Sequence, residues 1–71
     1  MTTLTNANDT RETVITKNTV DGTYSVHYCF VHNYKFSDTY TERQTDCINR
    51  KRFATEKTAI KKANQWLSKL N

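Results

Sequence analysis

Proline is absent from this chain and glycine occurs once, at Gly22, so neither a proline-rich spacer nor a glycine-rich linker is present. No apolar run approaches the roughly 18 residues needed to cross a bilayer, which excludes a membrane-spanning helix. Met1 to Asn8 holds neither a basic stretch nor an apolar one, so no signal peptide is read there and a cytoplasmic location is expected. In that compartment the two cysteines, Cys29 and Cys47, would be reduced thiols. With 71 residues there is one domain, and a chain this short buries only about 60% of its unfolded surface. Such a core supplies too few walls for a sheltered catalytic pocket, which points away from an enzyme. What the chain does have is threonine, thirteen of them, and β-branching favours extended backbone.

Charge is distributed unevenly. The net value is +4. Residues 1–33 place Arg11 and Lys17 against Asp9, Glu12 and Asp21, whereas residues 34–71 carry nine cations against four acids. Arg50, Lys51, Arg52, Lys57, Lys61, Lys62 and Lys69 face only Glu56 in the last third. A basic end of this kind suits a polyanionic partner, and it equally suits the solvated face of an amphipathic helix.

Residues 1–10 are polar and aperiodic and read as a flexible tail, leaving 11–71 as a single domain. The β-branched run Thr13 to Thr16 predicts a first strand, and Asp21-Gly22 predicts a two-residue hairpin turn. That turn would set Ile15 opposite Tyr28 and Thr19 opposite Tyr24. Thr23 to Val31 then alternates, with Tyr24, Val26, Tyr28 and Phe30 on one face. A second turn is expected at His32-Asn33-Tyr34. An odd loop there keeps the apolar residues on one face, pairing Phe30 with Phe36 and Val26 with Tyr40. The third strand would begin near Lys35 and end near Thr45. Thr55 reads as the N-cap of a closing helix, with Glu56 in its first turn and Phe53 as a hydrophobic staple. Ala59, Ile60, Ala63, Trp66, Leu67 and Leu70 form its apolar stripe. The expected fold is α+β, a three-stranded antiparallel sheet packed against one C-terminal helix (β-β-β-α).

Parity assigns Thr16, Asn18, Ser25, His27, Cys29, Val31, Lys35, Ser37, Thr39, Thr41 and Arg43 to the other sheet face. That face is rich in hydroxyls and mildly basic, and a narrow sheet can enter a DNA major groove. Hydroxyls and cations would meet phosphates, with Lys35, Arg43 and Asn18 reaching base edges and Arg50, Lys51 and Arg52 adding electrostatic docking. A sheet face is also polar simply because it is wet.

The segments Asp21-Gly22-Thr23-Tyr24-Ser25-Val26-His27-Tyr28 and Arg52-Phe53-Ala54-Thr55-Glu56-Lys57-Thr58-Ala59 carry a likeness. Over residues 21–70 the chain resembles the arm-type DNA-binding domain of phage tyrosine integrases. That family shows a glycine, then an alternating aromatic strand, then a phenylalanine-threonine-lysine-alanine start to its closing helix. The resemblance implies a β-β-β-α fold that binds DNA through its outer sheet face, here Ser25, His27, Lys35, Ser37, Thr39 and Arg43. The chain departs from the family in having few basic residues on the sheet. In size and in its Thr/Asn-rich character it is also similar to small phage anti-defence proteins, anti-CRISPR inhibitors among them. That likeness implies docking on a host protein or ribonucleoprotein complex, with Tyr34 at the expected hairpin tip as the contact.

Two Cys and two His, namely Cys29, Cys47, His27 and His32, form the one set that could hold zinc, but their spacing matches no zinc-finger pattern and no metal is expected. A Cys29–Cys47 disulfide is favoured over zinc, but the expected compartment opposes it and the sequence leaves the pairing open. No cofactor is expected, and a free edge strand leaves homodimerisation open. The sequence thus describes a small, non-enzymatic, nucleic-acid-binding module, with the host-protein inhibitor as the alternative.

Overall fold

A computed structural model describes residues 1–69 of the chain. Four strands, β1 (Thr2–Thr5), β2 (Arg11–Lys17), β3 (Tyr24–Lys35) and β4 (Thr41–Phe53), precede one helix, α1 (Glu56–Leu67). The strands form an antiparallel meander in the order β1-β2-β3-β4. The α+β class and the closing helix are as expected, but the sheet has four strands rather than three.

The added strand, β1, lies in the stretch expected to be a loose tail. It has only one apolar inward residue, Leu4, opposite Thr13. Its turn is built by a side chain. The Asn6 carboxamide oxygen accepts from the backbone N–H groups of Thr10 and Arg11, both at 2.9 Å, while its Nδ2 donates to the Thr10 hydroxyl. Asp9 takes a left-handed φ of 53°, a conformation that Asp tolerates. Periodicity cannot detect a strand specified in this way.

Both expected registers are displaced. Ile15 pairs with Val26 and Lys17 with Tyr24, because the first loop spans Asn18 to Thr23 instead of two residues. Asn18 closes it in both directions, donating its N–H to the Thr23 carbonyl and accepting from Gly22 N–H. Asp21 accepts from the Thr23 backbone and hydroxyl, and Gly22 supplies the positive φ of 74°. The second turn lies at Ser37-Asp38-Thr39, and His32-Asn33-Tyr34 continues β3 as strand. The Ser37 hydroxyl accepts from Thr39 N–H, and Phe36 and Tyr40 bond across the turn. Three consecutive turn-favouring residues outweigh one asparagine flanked by aromatics. Phe30 therefore faces Asp46, and Val26 faces Lys51.

The core is Ile15, Val26, Tyr28, Ala59 and Ala63, with Leu4, Tyr24, Phe53 and Trp66 packed around it. Thr55 caps α1 as expected, its hydroxyl accepting from Thr58 N–H. Ile60 lies at the exposed margin of the helix, and Leu70 of the expected stripe is outside the described residues. Phe36 and Tyr40, expected in the core, are 63% and 55% exposed. They belong to the far half of the β3–β4 hairpin, which runs past the last β2 pairing and gives the molecule its 46 Å long axis.

Trp66 joins helix to sheet. Its ring meets Tyr28 edge-on at 5.6 Å and Phe30 at 5.2 Å, and its indole N–H donates to the Cys29 carbonyl. The buried Arg11 guanidinium lies 4.1 Å from the Trp66 centroid and 5.1 Å from that of Phe30.

Candidate nucleic-acid interface

A single extra residue decides which way the basic run points. Cys29 pairs with Cys47 but Tyr28 pairs with Asn49, so Ile48 is a bulge in β4. A bulge reverses the alternation of the strand that carries it. Before it, Thr41, Arg43, Thr45 and Cys47 lie on the face turned away from α1. After it, Arg50 and Arg52 do, paired with His27 and Ser25. Lys51 stands opposite the core residue Val26 and so lies on the helix side. The expected three-residue basic patch is thereby split, two arginines on the open face and one lysine on the other.

Of the remaining expected contacts, several are engaged within the fold. Arg43 bridges two acids, its NH2 nitrogen 3.0 Å from Asp9 and 2.9 Å from Glu12, and its Nε also reaches Asp9. These hydrogen bonds raise the Arg43 pKa further and, with help from Asn33, hold the Asp9 carboxyl below the usual carboxylate range. Arg43 therefore fastens the β1–β2 turn to β4 and does not reach out to a base edge. Asn18 Nδ2 donates to the Thr23 and Ser25 hydroxyls, and Ser25 is buried. Ser37 and Thr39 contact each other in the tip, and Lys35 lies 3.9 Å from Asp38 beside it. Arg43, Lys35, Ser37 and Thr39 lie along the arm, away from Arg50 and Arg52, whereas Ser25 stands opposite Arg52 with its hydroxyl bonded to Asn18. His27 is half-buried directly opposite Arg50.

Arg52 lies 3.6 Å from Asp21, and both side chains are well exposed, so this pair holds Arg52 only loosely. The carboxyl of Asp21 is lowered chiefly by the backbone N–H of Thr23, then by its hydroxyl, with a smaller contribution from Arg52. Among the described residues Arg50 has no carboxylate within ion-pair distance. Because β4 is an edge strand, both arginines border open solvent.

Cys29 and Cys47 form a cross-strand disulfide with Cα atoms 3.9 Å apart, at the base of the hairpin arm. The expected reduced thiols are thus replaced by a bridge, since the bulge register sets the two residues directly opposite each other. Among the described residues no group of three or more His, Cys, Asp or Glu could hold a metal ion, and no helix is long and apolar enough to cross a membrane.

Comparison with family models, curated proteins and solved structures finds no match to this chain. The chemistry of the interface rests on its own residues.

Two features escape a sequence reading. One is an aromatic stripe along the arm, His32, Tyr34, Phe36 and Tyr40, with successive ring centroids 5.7–6.4 Å apart. Tyr34 sits within β3 opposite Glu42, not at the tip, and is 46% exposed. The other is a groove between α1 and β4. Lys62, Gln65 and Lys69 line it at i, i+3 and i+7, a spacing visible in the sequence but indistinguishable there from an ordinary wet helix face.

Proposed function

We propose that this chain is a non-enzymatic module that binds double-stranded nucleic acid, DNA in the first instance, through the C-terminal half of β4. The observation that carries the reading is the placement of Arg50 and Arg52 two residues apart on the helix-free face, with His27 beside them and β4 at the sheet edge. Guanidinium groups meet phosphate oxygens in a forked, charge-assisted geometry. Engagement of Asn18 and Arg43 inside the fold leaves little base reading, so binding is dominated by phosphate contacts and is weakly selective. This is the outer-face mode that the integrase-arm resemblance implies, shifted from the middle of the sheet to its β4 edge.

Replacing both residues, Arg50→Ser with Arg52→Ser, should weaken binding on every duplex sequence and reduce the log–log salt slope by about 2. Fluorescence anisotropy of a labelled duplex across a salt series measures it. A slope equal to that of the unaltered protein would remove the two arginines from the interface. The disulfide favours an oxidising setting for this activity; in a cytoplasmic one, reduction of the pair would be expected.

The exposed aromatic stripe supports a second reading, an inhibitor that docks on a host protein complex. Residues 32–44 of the arm balance Lys35 and Arg43 against Asp38 and Glu42, a neutral surface that suits protein better than phosphate. Under this reading duplex affinity is negligible at low salt, and Tyr34→Ala with Phe36→Ala abolishes co-purification of a defined partner. Retention of that partner by the double variant would eliminate the arm as the contact.

A further inference from the structure

The groove between α1 and β4 collects charge of one sign around an aromatic wall. α1 lies mainly over β2 and β3 and touches β4 less, which leaves a cleft of about 270 Å³ along that side. Lys51 enters it from the strand because the Ile48 bulge turns it to the helix side, and Lys62 and Lys69 enter from the helix. Trp66, Tyr28 and the bulged Ile48 form its apolar surface. Among the described residues no acid lines it, and none of the three lysines has a carboxylate within ion-pair distance. Three cations around one small cleft repel each other unless an anion joins them. Lys69 is held by the Trp66 ring, 5.5 Å from its centroid, a contact it can exchange for a phosphate.

We propose that this groove binds a phosphate monoester carried on a planar ring, a ligand of nucleoside monophosphate size. The phosphate lies among Lys51, Lys62 and Lys69, and the ring rests on Ile48 and the free surface of Trp66 and Tyr28. Asn49 and Gln65, the polar residues of the wall, offer both donors and acceptors to a base edge. The volume is slightly below that of a drug-sized pocket, which favours one base and one phosphate over a larger cofactor. The site does not depend on Arg50 and Arg52, which lie on the opposite face.

Trp66 is the only tryptophan and lines this groove, so its fluorescence responds to a ligand bound there. Titration with AMP should change that signal saturably, whereas adenosine and inorganic phosphate should each bind at least about tenfold more weakly. Lys51→Gln and Lys62→Gln should each weaken AMP by about tenfold, while Arg50→Ser with Arg52→Ser leaves it unchanged. Both lysines are exposed, so these variants keep the fold, as circular dichroism will verify. A 5′-phosphorylated trinucleotide that binds as tightly as AMP assigns the site to strand ends, and one that is excluded assigns it to free mononucleotides; either upholds the chemistry. The proposal is overturned if AMP gives no saturable change, if phosphate or adenosine matches it, or if the lysine variants bind AMP as tightly as the unaltered protein. Loss of duplex binding in the arginine variant with AMP binding intact separates this site from the interface proposed above.

Discussion

Reduction of the Cys29–Cys47 bridge should lower the melting temperature by roughly 12–20 °C, the equivalent of about 3 kcal/mol. The two cysteines are 18 residues apart and enclose the whole hairpin arm. Opening the bridge releases that loop in the unfolded chain and so raises the entropy that folding must overcome. The folded arm has little with which to compensate. Beyond Phe30 it has no β2 pairing; the Val31–Thr10 bond, the Asn33–Asp9 bonds and the Arg43 bridge to Asp9 and Glu12 tie it to the β1–β2 side, and its aromatic side chains are largely exposed. A domain of 71 residues has a total stability of roughly 4–10 kcal/mol, so the loss is a large fraction of the whole. Thermal unfolding followed by circular dichroism, with and without dithiothreitol, measures it. Titration of free thiols after unfolding without reductant should find none. A melting temperature unmoved by reductant would show that the arm holds its register without the bridge.

Trp66→Ala should destabilise the domain by about 3 kcal/mol, the lower end for an aromatic truncated to alanine because the ring is only half-buried. The change removes the contacts with Tyr28 and Phe30, the hydrogen bond to the Cys29 carbonyl, and the aromatic surface beneath Arg11. Arg11 is buried, so part of the cost is a cation left without the ring it stacks on. Trp66→Phe keeps an aromatic surface and should cost less than half as much. Urea denaturation followed by far-ultraviolet circular dichroism compares the three proteins. Equal midpoints for Trp66→Ala and the unaltered chain would mean that Ala59 and Ala63 alone hold α1 to the sheet.

The two effects meet at one place. The disulfide, the Ile48 bulge and the indole hydrogen bond all gather at Cys29, where the four-stranded body becomes the two-stranded arm. The same bulge turns Arg50 and Arg52 to the open face and Lys51 into the groove. A substitution that straightened β4 would therefore exchange the charges of the two faces while leaving composition unchanged.

How much of this was legible in the sequence follows from the range of each signal. The alternation of Tyr24, Val26, Tyr28 and Phe30, the Thr55 cap and the Ala59/Ala63/Trp66 stripe each lie within a few residues of chain, and each is where it was expected. The first hairpin register, and the second as far as Cys47, were displaced by an even number of residues, whereas past the Ile48 bulge the second is displaced by an odd number. The period of a strand is two, so an even shift keeps every side chain on its face and leaves no trace in the pattern, and only the bulge changes faces. For that reason His27, Ser25 and Arg43 fall on the expected face although none of their expected partners does. β1 was invisible because Asn6, a single polar side chain, builds its turn and only Leu4 marks its inner face.

The sequence by itself determined the α+β class, the faces of β2 and β3, the start of the helix and the concentration of positive charge in the last third. These depend on local periodicity and on composition, which the chain carries without folding. Tertiary structure alone decided where the second turn falls, that Cys29 meets Cys47, and that Arg50 and Arg52 part from Lys51. Each of these is a choice of register between segments up to 29 residues apart, Tyr24 with Phe53 at the extreme. Such a choice is made by the summed pairing of two whole strands and by one bulged residue, and no short window of sequence contains that sum.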